Sequence, residues 1–447
     1  MKLIRIKGRN AHAAAEMLAA LEQRGGAALE AVMPAVKRIV GDVRKSGDRA
    51  LLRYAAKFDG GGGQGAKTLA ALRVAPEEMA AAWKALDPAM REALRTSAAQ
   101  IRGFARRQMP KSWSASPVRG LKAGQLVRPL GSVGCYVPSG RHPLPSTLLM
   151  TAIPAQVAGV KRIVAVSPRP APETLAAAHF VGLTEFYRLG GAHAVAALAY
   201  GTESLPRVEK IAGPGNLYVT AAKKRVAFDC AIDMLAGPTE IVVASECGDA
   251  IEIASDLVAQ AEHDPAALAI FVTSREDLAR AVVAEARTQS RTNPVARASL
   301  ERNGLAIVAS SVDEARAITN RLAAEHLTVD AASDLDWVEN AGSVFVGRWS
   351  AQPMGDYISG PNHTLPTGGM ARVRGGLSVN DFVKLITVQE YAPEGMRALG
   401  PKAALLAEAE GLTGHAEAIR LRLLRCGSRG LRRKASTESA SGREKHG

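Results

Sequence analysis

Apolar residues over roughly the first 110 positions return at helical spacing. The stretch Ala27–Phe58, AALEAVMPAVKRIVGDVRKSGDRALLRYAAKF, sets Leu, Val and Ile three or four apart with Arg, Lys and Glu between them, which predicts amphipathic helices. A glycine run between Asp59 and Gly65 interrupts the pattern. From Leu130 the period changes: the β-branched runs GSVGCYV, RIVAVSP and EFYRLGG alternate with the helical stretches STLLMTAIPAQVAGV, ETLAAAHFVG and HAVAALAYG. A second series follows, with strands EIVVASE and ALAIFVTS around the helix AIEIASDLVAQAEH, which Pro265 ends, and then the helix REDLARAVVAEARTQS. LAIVAS and SVFVGR are predicted strands flanking a helix over Val312 to Ala324. Past about Gly375 the chain is expected to be helical, without strand signals. Strand and helix in alternation predict parallel α/β structure. The expected fold is therefore α/β, with two Rossmann-like doubly wound units and helical N- and C-terminal extensions.

Composition narrows the class without naming a function. An apolar share of 47% and a charged share of 22% over 447 residues fit a globular protein with room for two or three cores. Cys135, Cys230, Cys247 and Cys426 lie far apart with no CxxC pairing, so neither a disulfide framework nor a zinc knuckle is expected. The start MKLIRIKGRN lacks the apolar stretch of a secretory signal, and no apolar run reaches membrane-spanning length. A cytoplasmic protein with no membrane partner is expected. The formal charge of +14 would suggest nucleic acid, but part of the excess sits in the Ser, Gly, Arg and Lys-rich end, GLRRKASTESASGREKHG. That segment has little to bury and is expected to be a disordered tail, so no nucleic-acid partner is expected.

Five short segments carry chemistry. A GxGxxG dinucleotide loop with its acidic partner is missing; in its place GPGNLYVTAAKK makes a tight turn before a helix, whose amides can hold a phosphate or a cofactor amide. In QAEHDP, Gln260 and His263 share a predicted helix face, where an amide oxygen and an imidazole can converge on one ion. In AAEHL, Glu325 and His326 fall at the end of a predicted helix, and alone would pass for a surface pair. GDYISGPNHTLPT holds Asp356 and His363 in a Gly/Pro-rich stretch that cannot be regular helix or central strand. In EGLTGH, Glu410 and His415 lie five apart, with Gly411 and Gly414 expected to bend the chain between them. Together these segments provide a donor set suited to zinc bound by nitrogen and oxygen, with positions left for substrate.

GCYVPSGRHPLPSTLLMTAIPAQVAGV, GGAHAVAALAYGTESLPRVEKIAGPGNLYVTAAKK, IDMLAGPTEIVV, AQAEHDP, AAEHL, AGSVFVG and GDYISGPNHTLPT together resemble the signatures of the histidinol dehydrogenase family, in its order. The resemblance runs from the N-terminal helices to about Arg425. It implies a zinc- and NAD-dependent four-electron oxidation of L-histidinol through L-histidinaldehyde to L-histidine, the last step of histidine biosynthesis. It further implies one zinc per subunit bound by Gln260, His263, Asp356 and His415, and an acid/base pair of Glu325 and His326. Thr239, His363 and Glu410 would line the substrate pocket with the metal ligands and His326, while Tyr136, His193 and Asn216 would contact NAD. A homodimer with shared active sites is implied as well. The corresponding division is a helical arm over 1–25, a first α/β domain over 26–130 and 240–375, a second over 131–239, a helical dimerisation segment over 376–426, and the tail over 427–447.

Three departures from the family pattern stand out: Thr239 where serine is usual, His193 where glutamine is common, and Ser139 with His142 in a loop usually richer in glycine and tyrosine. The alternative is a zinc/NAD paralogue of the same fold acting on another polyol or a sulfonated alcohol. Retention of Glu410 and His415, which the family uses near the amine and imidazole of its substrate, favours histidinol.

Overall fold

Ile241, Val242 and Val243 are all buried, so the strand carrying them is covered on both faces, as a parallel sheet between helical layers requires. The computed structural model describes residues 1–7, 11–24, 27–60, 66–139 and 143–438, apart from the side chains of 11, 27, 28 and 427–438. Its strands are β1 (Lys2–Arg5), β2 (Trp113–Val118), β3 (Leu121–Pro129), β4 (Ser132–Tyr136), β5 (Arg162–Val166), β6 (Glu185–Tyr187), β7 (Lys210–Ala212), β8 (Ala231–Ile232), β9 (Glu240–Ala244), β10 (Leu268–Thr273), β11 (Leu305–Val308), β12 (Ala324–Val329), β13 (Ala341–Val346) and β14 (Val383–Tyr391).

A six-stranded sheet has the order β1-β11-β10-β9-β12-β13, and a five-stranded sheet the order β6-β5-β4-β7-β8. All pairings in both are parallel. Within the run β9 to β13 the chain winds outward from β9 through β10 to β11, then returns to lay β12 on the other side of β9. The run β4 to β8 does the same around β4. Each sheet is thus doubly wound, with a switch point between β9 and β12 in one and between β4 and β7 in the other.

Both sheets belong to one compact unit, Met1–Met109 with Pro129–Phe382; Pro110–Arg128 and Val383–Gly447 form a second. The second unit contains the order β14-β3-β2, with β2 and β3 antiparallel about the left-handed Gly120 (φ 82°). It also holds the helices Pro393–Ala409 and Thr413–Glu438, packed through Ala404, Ala407 and Ala416.

Several expectations are corrected. The arm over 1–25 is not wholly helical, because β1 pairs with β11, Lys2 opposite Leu305. Among the described residues, the helix Ala27–Phe58 packs with the 131–239 region rather than with 240–375. Its apolar stripe, including Val36, Val43 and Leu51, packs in one cluster with Tyr136, Val164, Leu198 and Ile211 of the 131–239 region, where the buried Ala/Val faces of the helices Gly191–Tyr200 and Leu217–Val226 offer it a surface. Val383–Tyr391 is a strand in a stretch expected to be helical, and Trp113–Val118 and Leu121–Pro129 are strands between the two patterns read from the sequence. The last helix continues to Glu438, into the stretch expected to be disordered, which contains the good helix formers Leu, Arg, Lys and Ala; residues 439–447 lie outside the described residues. So do most of the glycine break after Asp59 and the departure at His142. All four cysteines are free, and among the described residues no helix is long and apolar enough to cross a membrane.

Candidate active site

Glu325 and His326 lie on a strand rather than at a helix end. The preceding helix, Val312–Leu322, stops because Ala323 takes a left-handed conformation (φ 47°), and Ala324 already pairs with β13. This places both residues at the N-terminal end of β12, beside the start of β9. The main chain of Glu240 holds them: its carbonyl lies 2.9 Å from His326 Nδ1, and its N–H donates to Glu325 Oε2 at 2.8 Å. Glu240 is itself fixed by a two-pronged pair with Arg24, at 2.6 and 2.7 Å.

A carbonyl only accepts, so Nδ1 of His326 carries the proton donated to Glu240. The second ring nitrogen, Nε2, is buried without a hydrogen-bond partner among the described residues. Asp356 Oδ1 stands 3.6 Å away from it, beyond hydrogen-bond range. In the neutral ring Nε2 therefore bears the lone pair, which is the arrangement of a general base. Burial opposes charge on His326, but the carboxylates of Glu325 and Asp356 outweigh it and raise its proton affinity. Burial likewise raises Glu325, against the pull of His326, the Thr239 hydroxyl and the Glu240 N–H.

The pocket around them is about 480 Å³ and is lined by Thr239, His263, Glu325, His326, Asp356 and His363, among others. Thr239 Oγ1 donates to Glu325 Oε2 at 2.6 Å and accepts from Gln260 Nε2. With its amide nitrogen committed to Thr239, Gln260 is fully buried and its Oε1 is left without a partner among the described residues. An orphaned buried amide oxygen normally costs stability, and it is a fitting donor for a hard or borderline cation. Asp356 lies in the short helix Gln352–Tyr357, a correction to the irregular loop expected there. Its Oδ2 accepts from Gln352 Nε2 at 2.8 Å, and nearby charges of His326 and His363 hold it below the usual carboxylate range despite burial. His263 sits just past the end of the helix Ala250–Ala261 and is exposed. Both nitrogens of His363 are engaged: Nδ1 lies 2.9 Å from the Asp356 carbonyl and Nε2 3.1 Å from the Thr147 hydroxyl, while burial lowers its proton affinity.

Tyr136, His193 and Asn216 come together around a second, larger cavity of about 1010 Å³. Pro138 lines both cavities. Tyr136 ends β4 and Asn216 follows β7, so they flank the switch point of the five-stranded sheet at its C-terminal edge, where open α/β sheets bind ligands. Gly213 makes the approach possible: its φ is 116°, and a Cβ there would collide with the carbonyl oxygen of Tyr136. The buried Asp233 accepts from the Gly213 N–H at 2.7 Å, while Lys223 Nζ donates to the Gly213 carbonyl at 3.0 Å. Asn216 caps the next helix, accepting from the N–H groups of Tyr218 and Val219. His193 is buried, with Nε2 2.8 Å from Asp59 Oδ2; Asp59 also accepts from the Gly190 N–H.

A sequence profile of the histidinol dehydrogenase family matches residues 22–423. The chain belongs to the histidinol dehydrogenase family. It is 48% identical over 401 residues to the histidinol dehydrogenase of Geobacillus kaustophilus (strain HTA426), covering 87% of this chain and 93% of that one. It is 45% identical over 417 residues to that of Methanothermobacter thermautotrophicus (strain ATCC 29096 / DSM 1053 / JCM 10044 / NBRC 100330 / Delta H), covering 90% and 96%. The crystal structure of histidinol dehydrogenase from Elizabethkingia anophelis superposes with a TM-score of 0.87 at 32% identity, covering 96% of this chain and 99% of that one.

In this histidinol dehydrogenase family member, Glu410 and His415 belong to the second unit, where both are exposed. Glu410 caps the helix Pro393–Ala409, and Gly411 turns the chain with φ 76°, as the glycines there suggest. Among the described residues, no three His, Cys, Asp or Glu side chains converge as a metal site. Of the four ligands the sequence suggests, only His263 and Asp356 are residues of those types within the first unit, Gln260 being an amide. Sequence reasoning missed Glu240, Arg24, Asp59, Thr147 and Gln352. Glu240 acts through its main chain and Arg24, Asp59 and Thr147 from distant segments, while Gln352 reaches Asp356 across one turn of a helix that the Gly/Pro-rich sequence does not announce.

Proposed function

We propose that the chain is a histidinol dehydrogenase, oxidising L-histidinol through L-histidinaldehyde to L-histidine with two NAD+. The observation that carries this reading is the buried, unpartnered Nε2 of His326, set in a pocket that shares Pro138 with the switch-point cavity. In the first oxidation the neutral His326 takes the alcohol proton as the carbinol hydride passes to NAD+. In the second, Glu325 orients a water that adds to the aldehyde carbon; His326 takes a proton from the resulting hydrate, and hydride passes to a fresh NAD+. The products are the acid, two NADH and protons. Tyr136 and Asn216 would contact the dinucleotide, and His193, whose Nε2 is committed to Asp59, would do so through Nδ1 or the ring.

The donors fit zinc: Gln260 offers the orphaned amide oxygen, Asp356 a carboxylate, and His263 an imidazole, with His415 of the partner subunit as the fourth ligand. Zinc bound there would anchor the substrate's amino and imidazole nitrogens and, by offsetting the Asp356 charge, return His326 toward the neutral base. This ligand set would require a homodimer, with Glu410 and His415 serving the neighbouring subunit's site.

The test is NADH formation followed at 340 nm with purified protein, L-histidinol, NAD+ and zinc. Two NADH per histidinol are expected; one, with aldehyde accumulating, would refute the second half, and none would refute the assignment. For the shared site, an inactive His263→Ala chain is co-refolded with an inactive His415→Ala chain. Equal mixing should restore about a quarter of wild-type activity, since half the dimers are mixed and one site in each carries neither defect. No recovery, with mixed dimers confirmed, would place His415 in its own chain's site.

A further inference from the structure

Gln352 is a primary amide with 1% exposure, at the first position of the short helix Gln352–Tyr357. A buried amide is costly unless its groups find partners. Its Nε2 donates to Asp356 Oδ2 at 2.8 Å, one helical turn on. From the other side, His363 Nδ1–H binds the Asp356 carbonyl at 2.9 Å. Asp356 is therefore fixed at its main chain by one side chain and at one carboxylate oxygen by another. Its other oxygen, Oδ1, is the one turned toward His326 Nε2.

We propose that Gln352 is a positioning residue for the metal, aiming the carboxylate of Asp356 so that Oδ1 faces the pocket. The proposal rests on the reading of Asp356 as a zinc ligand. A carboxylate with two rotatable bonds can present either oxygen; one donor on Oδ2 removes that freedom and leaves Oδ1 for the cation. Groups that orient metal ligands in this way typically change metal affinity 10- to 100-fold when removed. Gln260 is aimed by the same logic, its Nε2 tied to Thr239 so that Oε1 turns outward. The difference is that Thr239 also touches Glu325, so its loss would mix metal binding with catalysis. Among the described residues Gln352 has no hydrogen bond to Glu325 or His326, which makes it the cleaner probe.

The test compares zinc affinity of purified wild-type protein and Gln352→Met by competition with a chelator of known affinity. Methionine keeps the length and volume and removes the donor. The expected result is zinc binding weakened about 10- to 100-fold, the midpoint of thermal unfolding of the metal-free protein nearly unchanged, and kcat largely recovered in excess zinc. Zinc affinity within about twofold of wild type would overturn the proposal, as would a large loss of metal-free stability with unaltered affinity. Gln352→Asn, which keeps an amide one methylene short, covers the case in which the methionine variant fails to fold; it too is expected to bind zinc more weakly, and wild-type affinity in it would overturn the proposal. If wild type itself takes up no zinc, it is the metal reading that fails, a result distinct from either outcome for the variants.

Discussion

Replacing Thr239 by valine removes one hydroxyl and almost no volume, yet that hydroxyl joins two buried groups. Gln260 Nε2 donates to it, and it donates to Glu325 Oε2 at 2.6 Å. Gln260 is fully buried and Glu325 is 6% exposed, so water can replace the lost partner poorly at either. An unsatisfied buried amide N–H costs about 1–3 kcal/mol, and a hydrogen bond to a charged group contributes about 1.5–3 kcal/mol. Glu325 keeps the Glu240 N–H at 2.8 Å, and Thr239 itself is only half-buried, which brings the expected total to about 2–4 kcal/mol. Thr239→Ser keeps both bonds and loses a methyl, for about 0.5–1.5 kcal/mol. In a unit of this size each kcal/mol moves the thermal midpoint by roughly 1–2 °C. Metal-free Thr239→Val should therefore melt about 2–5 °C below Thr239→Ser by calorimetry or circular dichroism, and its aldehyde oxidation should fall more than its alcohol oxidation because Glu325 loses an orienting donor. A valine variant melting within about 1 °C of the serine variant, with the two oxidations slowed equally, would show that the hydroxyl does not couple these groups.

His326→Asn should retain zinc and slow both oxidations about 10²- to 10⁴-fold, the usual contribution of a positioned base, whereas Glu325→Gln should impair histidinal oxidation more than histidinol oxidation. Equal effects of Glu325→Gln on the two substrates would remove Glu325 from the water step. Ala323→Gly should stabilise the protein by up to about 1 kcal/mol, since the left-handed backbone at φ 47° suits glycine; a lower melting temperature would contradict this. Burial raises the Asp256 carboxyl from 3.8 to about 6, helped by Glu252 and opposed by the Gln352 N–H. The raised value means that its contribution is fully present below pH 3.8 and is lost as pH rises through about 6. Asp256→Asn should thus exceed wild type in stability by about 1–2 kcal/mol at pH 8, discounted for its partial exposure, and match it near pH 4. An advantage independent of pH would refute the assignment to Asp256.

Much of the parallel α/β alternation is legible because its strands are short β-branched runs set off by helices of clear period, as in EIVVASE followed by AIEIASDLVAQAEH. What was not legible has physical causes. LAAEHLTV reads as the end of a helix because Leu, Ala and Glu are strong helix formers and no glycine marks the stop; the stop is made at Ala323 in a conformation that alanine rarely takes, and the strand forms because β9 and β13 lie on either side to receive it. Strand β14, with an exposed face along most of its length, has no buried alternation to read. The helix Ala27–Phe58 shows its apolar stripe plainly, but a stripe does not say which sheet it covers.

On the proposed reading the two parallel sheets would use opposite edges for the site, and a familiar dinucleotide motif would not be needed. In the five-stranded sheet, Tyr136 and Asn216 stand at the carboxyl ends of β4 and β7, at the switch point, where strand ends and helix starts leave a crevice with outward N–H groups. There the close approach is supplied by Gly213 against Tyr136, one contact for which a GPGN turn suffices. In the six-stranded sheet, Glu325 and His326 sit at the amino end of β12, and the N–H and C=O groups of Glu240 at the start of β9 are what fix them. An amino-terminal edge has no helix start to bind phosphate, but it can aim side chains with main-chain hydrogen bonds. The proposed division of labour would then give one sheet's carboxyl edge the cofactor and the other's amino edge the base and the carboxylate. Pro138 lines both cavities, and on the proposed reading a hydride would cross there from one to the other.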